Sequence, residues 1–533
     1  MCDGIRTWVV ATTFALLAGF FSAISVGASQ RPPNVILVLA DDLGWRDLGS
    51  YGSSFYETPH IDRLASQGVR FTQAYAACHV CSPTRASIMS GKYPARLHLT
   101  DWLTGRRDYP FQKLKNAEIH QQLLLSEVTV AEALKEHGYR TAHIGKWHIG
   151  EEPYGPLKQG FDIQIPRWNK GWPKVGYYAP FQLDGLDDQE GQYLTDRLTD
   201  EAEKFIDSNK DHPFFLYLSH FAVHDPIQGR PDLVTKYEAK RNRMQPSVGL
   251  DFVLEGNPDE LQSPSRDELS KRLKQPAWSG FKVLPERTVK IKQHQDNVHF
   301  AAMVESLDES VGRLMGKLKA LNLEQDTIVI FFSDNGGMSA ANFGRPDRIV
   351  GKDRLDEAFA TSNLPLRGAK GWLYEGGIRV PLILHWPDHH APGHECHEPV
   401  ISTDLYPTIL DLAGLPQRPE QHQDGKSLVS LVQGAQSLDR EAIYWHFPHY
   451  SNHGMQSPGA AIRSGNYKLI EYFENNKLQL FDLKQDVGEQ NDLSRKEPAK
   501  AAELQRMLHR WRAEVSASMM EPNPDYVEAS DPR

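Results

Sequence analysis

An Asp-Asp pair, an Asp-Asn pair, one cysteine, two lysines and two histidines stand in this chain where they suit chemistry on a charged substrate. Cys81 opens the stretch Cys81-Ser82-Pro83-Thr84-Arg85. Proline fits the first turn of a helix, where its missing N–H costs nothing. Arg85 falls about one turn later, within reach of the same helix end. Free N–H groups and partial positive charge make that end an anion holder, so a nucleophile there faces an anionic substrate. Asp41-Asp42 follow one apolar run and Asp334-Asn335-Gly336-Gly337 follow another. Two acidic clusters at strand ends could converge on one hard cation. Oxygen ligation favours Ca²⁺ or Mg²⁺ over Zn²⁺. Each pair taken alone could equally cap a turn.

Gly145-Lys146-Trp147-His148-Ile149-Gly150 follows a third run. Lys146 can hold an anion's oxygen, and His148 can move a proton near neutral pH. His224 lies in Val223-His224-Asp225-Pro226, with His220 as its competitor. Lys370 sits in the glycine-framed stretch Gly368-Ala369-Lys370-Gly371, ahead of Tyr374-Glu375-Gly376-Gly377-Ile378-Arg379-Val380-Pro381. Either group alone could be an incidental loop residue.

The elements that must position these groups read as an α/β fold. Val35–Ala40, Phe214–Leu218 and Thr327–Phe332 are continuous apolar runs of strand length, as expected for strands covered on both faces. Thr141–Ile144 and Pro381–Trp386 are weaker runs. Helical patterns alternate with them. Thr129 with Glu132 makes a capping box, and Val304, Leu307, Val311, Leu314, Leu318 and Leu321 form a 3.6-period stripe. A large, mainly parallel central sheet flanked by helices is expected. Near residue 440 the pattern changes to short strand-like runs with turns at Gly465-Asn466 and Asn475-Asn476, then a helix over about 499–516. This predicts a smaller antiparallel sheet plus helix. The expected organisation is a signal peptide over 1–28, a catalytic α/β domain over 29–437, an α+β subdomain over 438–521 and a disordered tail over 522–533. Residues 225–295, polar and patchily helical, are expected to be a lid or insertion.

The 533 residues carry a net charge of −10, which argues against a nucleic-acid surface. Arg6, the apolar stretch from Trp8 and Val26-Gly27-Ala28 look like a secretory leader cleaved before Ser29. That leaves no membrane span and a secreted or periplasmic location. The four cysteines make no disulfide framework. Cys78-His79-Val80-Cys81 could be a redox pair, although no thioredoxin-like strand precedes it.

The blocks together resemble the type I sulfatases of the alkaline phosphatase superfamily over nearly all of residues 33–515. Five blocks match in that family's order: Asp41-Asp42, Cys-x-Pro-Thr-Arg at 81–85, Gly-Lys-Trp-His-x-Gly at 145–150, Asp-Asn-Gly at 334–336 and Lys-Gly-x-x-x-Glu-Gly-Gly-x-Arg-x-Pro at 370–381. The resemblance implies that a formylglycine-generating or anaerobic sulfatase-maturating enzyme oxidises Cys81 to formylglycine. It further implies that Asp41, Asp42, Asp334 and Asn335, with residue 81, bind Ca²⁺. Arg85 would steady residue 81, and Lys146, His148, His224 and Lys370 would surround the sulfate. One hydroxyl of the hydrated aldehyde would attack sulfur with Asp334 handling its proton. His224 or Lys370 would protonate the leaving alcohol, and His148 would deprotonate the second hydroxyl. The family's polar group beyond the Gly-Lys-Trp-His block has no clear counterpart; Asn169 and its neighbours do not match it. The expected substrate is a sulfated carbohydrate, with Leu97–Trp102 and His446–His449 as pocket edges. A phosphonate or phosphate ester hydrolase on the same scaffold and a non-catalytic sulfated-glycan-binding protein are the alternatives.

Overall fold

The computed structural model describes residue 1 and residues 31–245, 247–258, 265–272, 288–340, 358–389, 392–453 and 456–527. The leader expected over 1–28 therefore lies, beyond Met1, outside the described residues.

Asn34–Ala40 form strand β1, and all seven residues are buried. Its side chains alternate between two cores. Ile36, Val38 and Ala40 join the apolar cluster on one face, and Val35, Leu37 and Leu39 join that on the other. Covering both faces is why this strand reads as an unbroken apolar run. Eight more strands complete the sheet: β2 (Val69–Tyr75), β3 (Arg140–Gly145), β4 (Ile163–Ile165), β5 (Phe214–Ser219), β6 (Thr327–Ser333), β7 (Arg379–His385), β8 (His394–Cys396) and β9 (Val400–Ile401). Their order is β8-β2-β7-β6-β1-β5-β3-β4, with β9 also on β2. The sheet is mainly parallel, as expected, with β7 reversed between β6 and β2.

Register matters more than order for the chemistry. Ala40 of β1 lies opposite Ser333 of β6, so Asp41-Asp42 and Asp334-Asn335 leave the sheet side by side. On the other flank Gly145 of β3 lies opposite Ser219 of β5, so Lys146 leaves by the same edge. Ligands in open α/β sheets bind at this carboxyl edge.

Helices α1 (Pro59–Gln67), α4 (Leu194–Asn209), α5 (Pro231–Arg243) and α6 (Val298–Ala320) cover one face. Helices α2 (Cys81–Ser90), α3 (Val130–Glu136) and α7 (Leu405–Leu412) cover the other. The capping box of α3 is present: Glu132 N–H donates to Thr129 Oγ1 at 3.2 Å, and Thr129 N–H donates to Glu132 Oε2 at 2.8 Å. The stripe on α6 is buried from Val304 to Leu318.

A second, antiparallel sheet runs β10 (Ile443–Phe447), β11 (Gly459–Ser464), β12 (Tyr467–Tyr472) and β13 (Leu478–Asp482), and α8 (Pro498–Glu514) packs on it. Its core is shared with Ala369, Trp372, Leu373, Tyr374 and Ile378 from the large domain. Beneath that contact Lys468 Nζ bridges Glu375 Oε1 at 3.0 Å and Glu489 Oε1 at 2.8 Å, all three buried.

Within the stretch 225–295, expected to be a lid or insertion, α5 packs on α6 and buries Leu233 and Tyr237 in the main core. Residues 246, 259–264 and 273–287 of that stretch lie outside the described residues. The expectation for the tail needs correction: it is docked as far as residue 527. Glu521–Pro522 pair with Leu114–Lys115, and Asn523 Nδ2 donates to Tyr109 O (3.1 Å) and Gln112 O (2.8 Å). A single asparagine amide satisfying loop carbonyls gives no periodic signal in sequence. Residues 528–533 lie outside the described residues.

Leu37, fully buried in β1, provides a test of the central strand. Leu37→Ala is expected to cost about 2–5 kcal/mol through lost transfer energy and an unfilled cavity, read as a lowered urea midpoint.

Candidate active site

The two acidic strand tips meet directly. Asp42 N–H donates to Asp334 Oδ1 at 3.2 Å, and Asn335 Nδ2 donates to Asp42 Oδ1 at 2.7 Å. Asp42 holds a left-handed backbone, with φ of 61°. Such a conformation is uncommon for a non-glycine residue, and packing from several sides sustains it. Asp41, Asp42, Asp334 and Asn335 are all fully buried.

Cations from three other elements neutralise the carboxylates. Lys146 Nζ reaches Asp41 Oδ2 at 2.6 Å. Lys370 Nζ reaches both oxygens of Asp42 at 2.8 Å. Arg85 brings Nε and Nη2 to Asp334 Oδ2, each at 2.8 Å, while its Nη1 donates to Lys146 O at 2.8 Å and Ser219 Oγ at 2.5 Å. Arg85, expected to steady residue 81, thus has its nearest partners among the acidic groups and the β5 terminus. Burial alone would raise Asp42, but Lys370, then His224 and Lys146, overcome it and hold this carboxyl well below the usual range. Asp334 goes the other way: burial and the adjacent Asp41 charge raise it.

Cys81 is the first residue of α2, and its Sγ lies 3.7 Å from Asp41 Oδ1. The helix is buried throughout, so its free N–H end faces the acidic cluster in a dry setting. Burial pushes the Cys81 thiol up to about 12, against the pull of Lys146 and Lys370. A thiol so held is a poor nucleophile. Cys78, Cys81 and Cys396 are free thiols, so a Cys78–Cys81 redox bridge is absent from the structure.

His148 also adopts positive φ, 59°, and its ring is pressed by Gly171, where a Cβ would fall 2.3 Å from the imidazole. Its Nε2 lies 2.9 Å from the Leu103 carbonyl, which can only accept, so Nε2 carries the hydrogen and Nδ1 holds the lone pair. That Nδ1 is buried with no partner. Burial, then the Lys146 charge, push His148 well below its usual range, keeping it neutral. His224 Nδ1 is 2.7 Å from Asp225 O and 3.0 Å from Asp225 Oδ1, and its Nε2 is 3.8 Å from Asp42 Oδ2. The competing His220 is buried beside Ser310 Oγ at 3.0 Å and serves the fold.

Lys370 is placed by a turn that only glycine permits. Gly371 has φ of +86°, and a Cβ there would sit 1.8 Å from His453 O. The acidic tip rests on another glycine contact: a Cβ on Gly336 would fall 2.0 Å from Gly376 O. The glycines of two sequence blocks are therefore the surfaces on which the two loops touch.

These groups open onto a cleft of about 620 Å³ lined by Cys81, Trp102, His148, Trp172, His224, Lys370 and His453, among others. Asp41, Asp42, Cys81 and His224 each offer a ligand atom, all within 4.8 Å of one another. This buried set could hold a metal ion. The donor chemistry fits a hard cation, and one buried oxygen, Asn335 Oδ1, has no hydrogen-bond partner. Three carboxylates face three cations here, so a divalent ion would leave a surplus of positive charge for an anionic ester.

All ten residues singled out in sequence lie in this one region. Of the expected pocket edges only Trp102 lines the cleft. His98 sits beside Ser518 Oγ, His446 beside Ser518 O and His449 beside Thr100 Oγ1. Sequence reasoning missed Trp172, Asn452, His453 and Ser219. Trp172 follows a glycine in an irregular stretch, and His453 arrives from the smaller sheet; neither carries a periodic or spacing signal.

The family model described as Sulfatase matches residues 33–415, and the one described as N-sulphoglucosamine sulphohydrolase, C-terminal, matches residues 369–517. A protein named Sulfatase from Formosa agariphila is 30% identical, with 91% of this chain and 89% of that protein covered. The N-acetylgalactosamine-6-sulfatase of Homo sapiens is 30% identical over 82% of this chain and 73% of its own. The crystal structure of Ps i-CgsB in complex with k-i-k-neocarrahexaose superposes with a TM-score of 0.67 at 27% identity, covering 94% of each chain. No helix among the described residues is long and apolar enough to cross a membrane. With the acidic strand tips, the helix-borne Cys81 and the ring of cations converging on one cleft, and with these matches, the chain belongs to the sulfatase family and is a sulfuric ester hydrolase.

Proposed function

We propose that this sulfatase removes sulfate from a sulfated carbohydrate, using formylglycine made from Cys81 and a Ca²⁺ ion held by Asp41, Asp42, Asp334 and Asn335. Mg²⁺ is the less suited ion, since the donors are rigid carboxylates and an amide rather than waters. The observation that carries the reading is the position of Cys81. Its side chain points from a helix N-terminus into an acidic cluster, 3.7 Å from Asp41, with Lys146 and Lys370 beside it.

When bound, the cation supplies charge neutralisation for the ester and acidifies a hydroxyl on residue 81. The hydrated aldehyde offers two hydroxyls, one to attack sulfur and one whose ionisation lets sulfate leave. The remaining work belongs to the chain's own residues. Lys146 and Lys370 would meet the sulfate oxygens, adding positive charge where the transition state gathers negative charge. Arg85 fixes Asp334, which takes or orients the attacking proton. His224 is held through Nδ1 by Asp225, leaving Nε2 toward the cleft to protonate the departing alcohol. His148, its tautomer set by the Leu103 carbonyl, presents bare Nδ1 as the base for the second hydroxyl. Trp102 and Trp172 at the cleft mouth suit the apolar faces of a sugar. The names of the relatives acting on N-acetylgalactosamine 6-sulfate and bound to neocarrahexaose point the same way. A maturating enzyme is the partner this chemistry requires, and the leader read from the sequence at 1–28 supports a periplasmic or secreted enzyme.

Four measurements of function, and one stability control, test this. The peptide containing residue 81 should weigh about 18 Da less than its cysteine form, the loss that marks thiol-to-aldehyde conversion. An unconverted peptide in fully active enzyme would sink the mechanism. Cys81→Ala should fold and lose sulfate release by several orders of magnitude, scored by ion chromatography over a panel of sulfated oligosaccharides, steroid sulfate and 4-nitrophenyl sulfate. EGTA should abolish turnover and Ca²⁺ restore it better than Mg²⁺, with Asn335→Ala raising the Ca²⁺ needed by about tenfold or more. Gly371→Ala should lower kcat/KM by at least about tenfold through misplaced Lys370. Gly465→Ala, at φ of +56° in open space, should cost only about 1 kcal/mol of stability.

A further inference from the structure

A second cleft, of about 750 Å³, adjoins the first and shares Trp102, His148 and Trp172 with it. The remaining wall is of different character. Gln121, Gln122, Glu151, Glu152, Asn169 and Lys170 line it. Glu151 is ion-paired with Lys170. The amides of Gln121 and Gln122 and the carboxylate of Glu152 make no hydrogen bond or ion pair with any described residue. Donors and acceptors with no internal partner, beside an indole that is 44% exposed at Trp172, match what a pyranose presents: an apolar face and a rim of hydroxyls.

The charge also changes sign between the clefts. Lys146, Lys370 and Arg85 serve the first. In the second, two carboxylates stand against one ammonium. A carboxylate or sulfate on a neighbouring sugar would meet repulsion there, and a neutral sugar would not.

Building on the carbohydrate reading above, we infer that the second cleft is a subsite for the sugar next to the sulfated unit, and that Glu152 makes it selective for a neutral one. The substrate class is then an oligosaccharide in which the sulfated residue is linked to an uncharged neighbour. The wall of Trp102 and Trp172 carries the chain from one cleft to the other. The sulfate binds on the cationic side, and the neighbour's hydroxyls bind Gln122 and Glu152.

The test uses disaccharides with one sulfate on galactose, glucosamine or N-acetylgalactosamine, each built with a neutral hexose or a uronic acid as neighbour, plus 4-nitrophenyl sulfate. The matured enzyme should prefer the neutral member of the turned-over pair by about tenfold or more in kcat/KM. Glu152→Lys should shrink that preference about tenfold, and Gln122→Ala should raise KM for the neutral member severalfold at unchanged kcat. Both variants should keep 4-nitrophenyl sulfate turnover within about twofold, since neither side chain lines the first cleft. Equal rates for neutral and uronic partners would overturn the subsite while leaving the carbohydrate reading intact. So would a Glu152→Lys effect equal on all substrates, which would mark a long-range field. Turnover of 4-nitrophenyl sulfate with none of the sugars would overturn both.

Discussion

The active site depends on one constraint: β1 and β6 lie parallel, adjacent and in a register that brings Asp41-Asp42 beside Asp334-Asn335. Burying three carboxylates together is costly, because each loses its hydration and repels the others. The structure offsets this with cations from three separate elements. Arg85 comes from α2, Lys146 from the end of β3 and Lys370 from the loop before β7. Removing one partner would leave a buried charge uncompensated, so the elements that carry these residues are bound to one another through the site itself. The near-neutral cluster is also ready to accept a divalent cation and an anion together.

The smaller sheet takes part in this arrangement. It shares an apolar core with residues 369–378 and anchors Glu375 through buried Lys468. It also sends His453 to the cleft, where the His453 carbonyl abuts Gly371. The position of Lys370 is therefore set from two sides, by the acidic tip of the large sheet and by a loop of the small one. Catalytic groups gain from such support because misplacement by an ångström weakens every electrostatic contact they make. The same geometry leaves the cleft mouth to irregular segments, Trp102 and the stretch around Trp172, which can vary without disturbing the charged floor.

The chemistry of the floor was legible in the sequence because it needs particular residue types next to strand ends and helix starts. Apolar runs marked β1, β5 and β6, and the acidic pairs, Cys81 and the lysine loop stood directly after or between them. The strands β2, β4, β8 and β9 were harder to read. They are short or half-buried, so neither an unbroken apolar run nor a clean alternation marks them. The docking of 521–527 and of α5 was also hidden, since each rests on a few long-range contacts in polar stretches.

The sequence by itself thus determined the fold class, the inventory of reactive groups and the side of the sheet on which they would gather. Local pattern reports burial and backbone conformation, and those decide such things. Tertiary structure alone decided that Arg85 serves the carboxylates, that His148 keeps a buried, unpaired Nδ1, that His220 belongs to the core and that Trp172 and His453 reach the cleft. These follow from side-chain direction and from contacts between residues hundreds of positions apart, and no spacing rule along the chain encodes them.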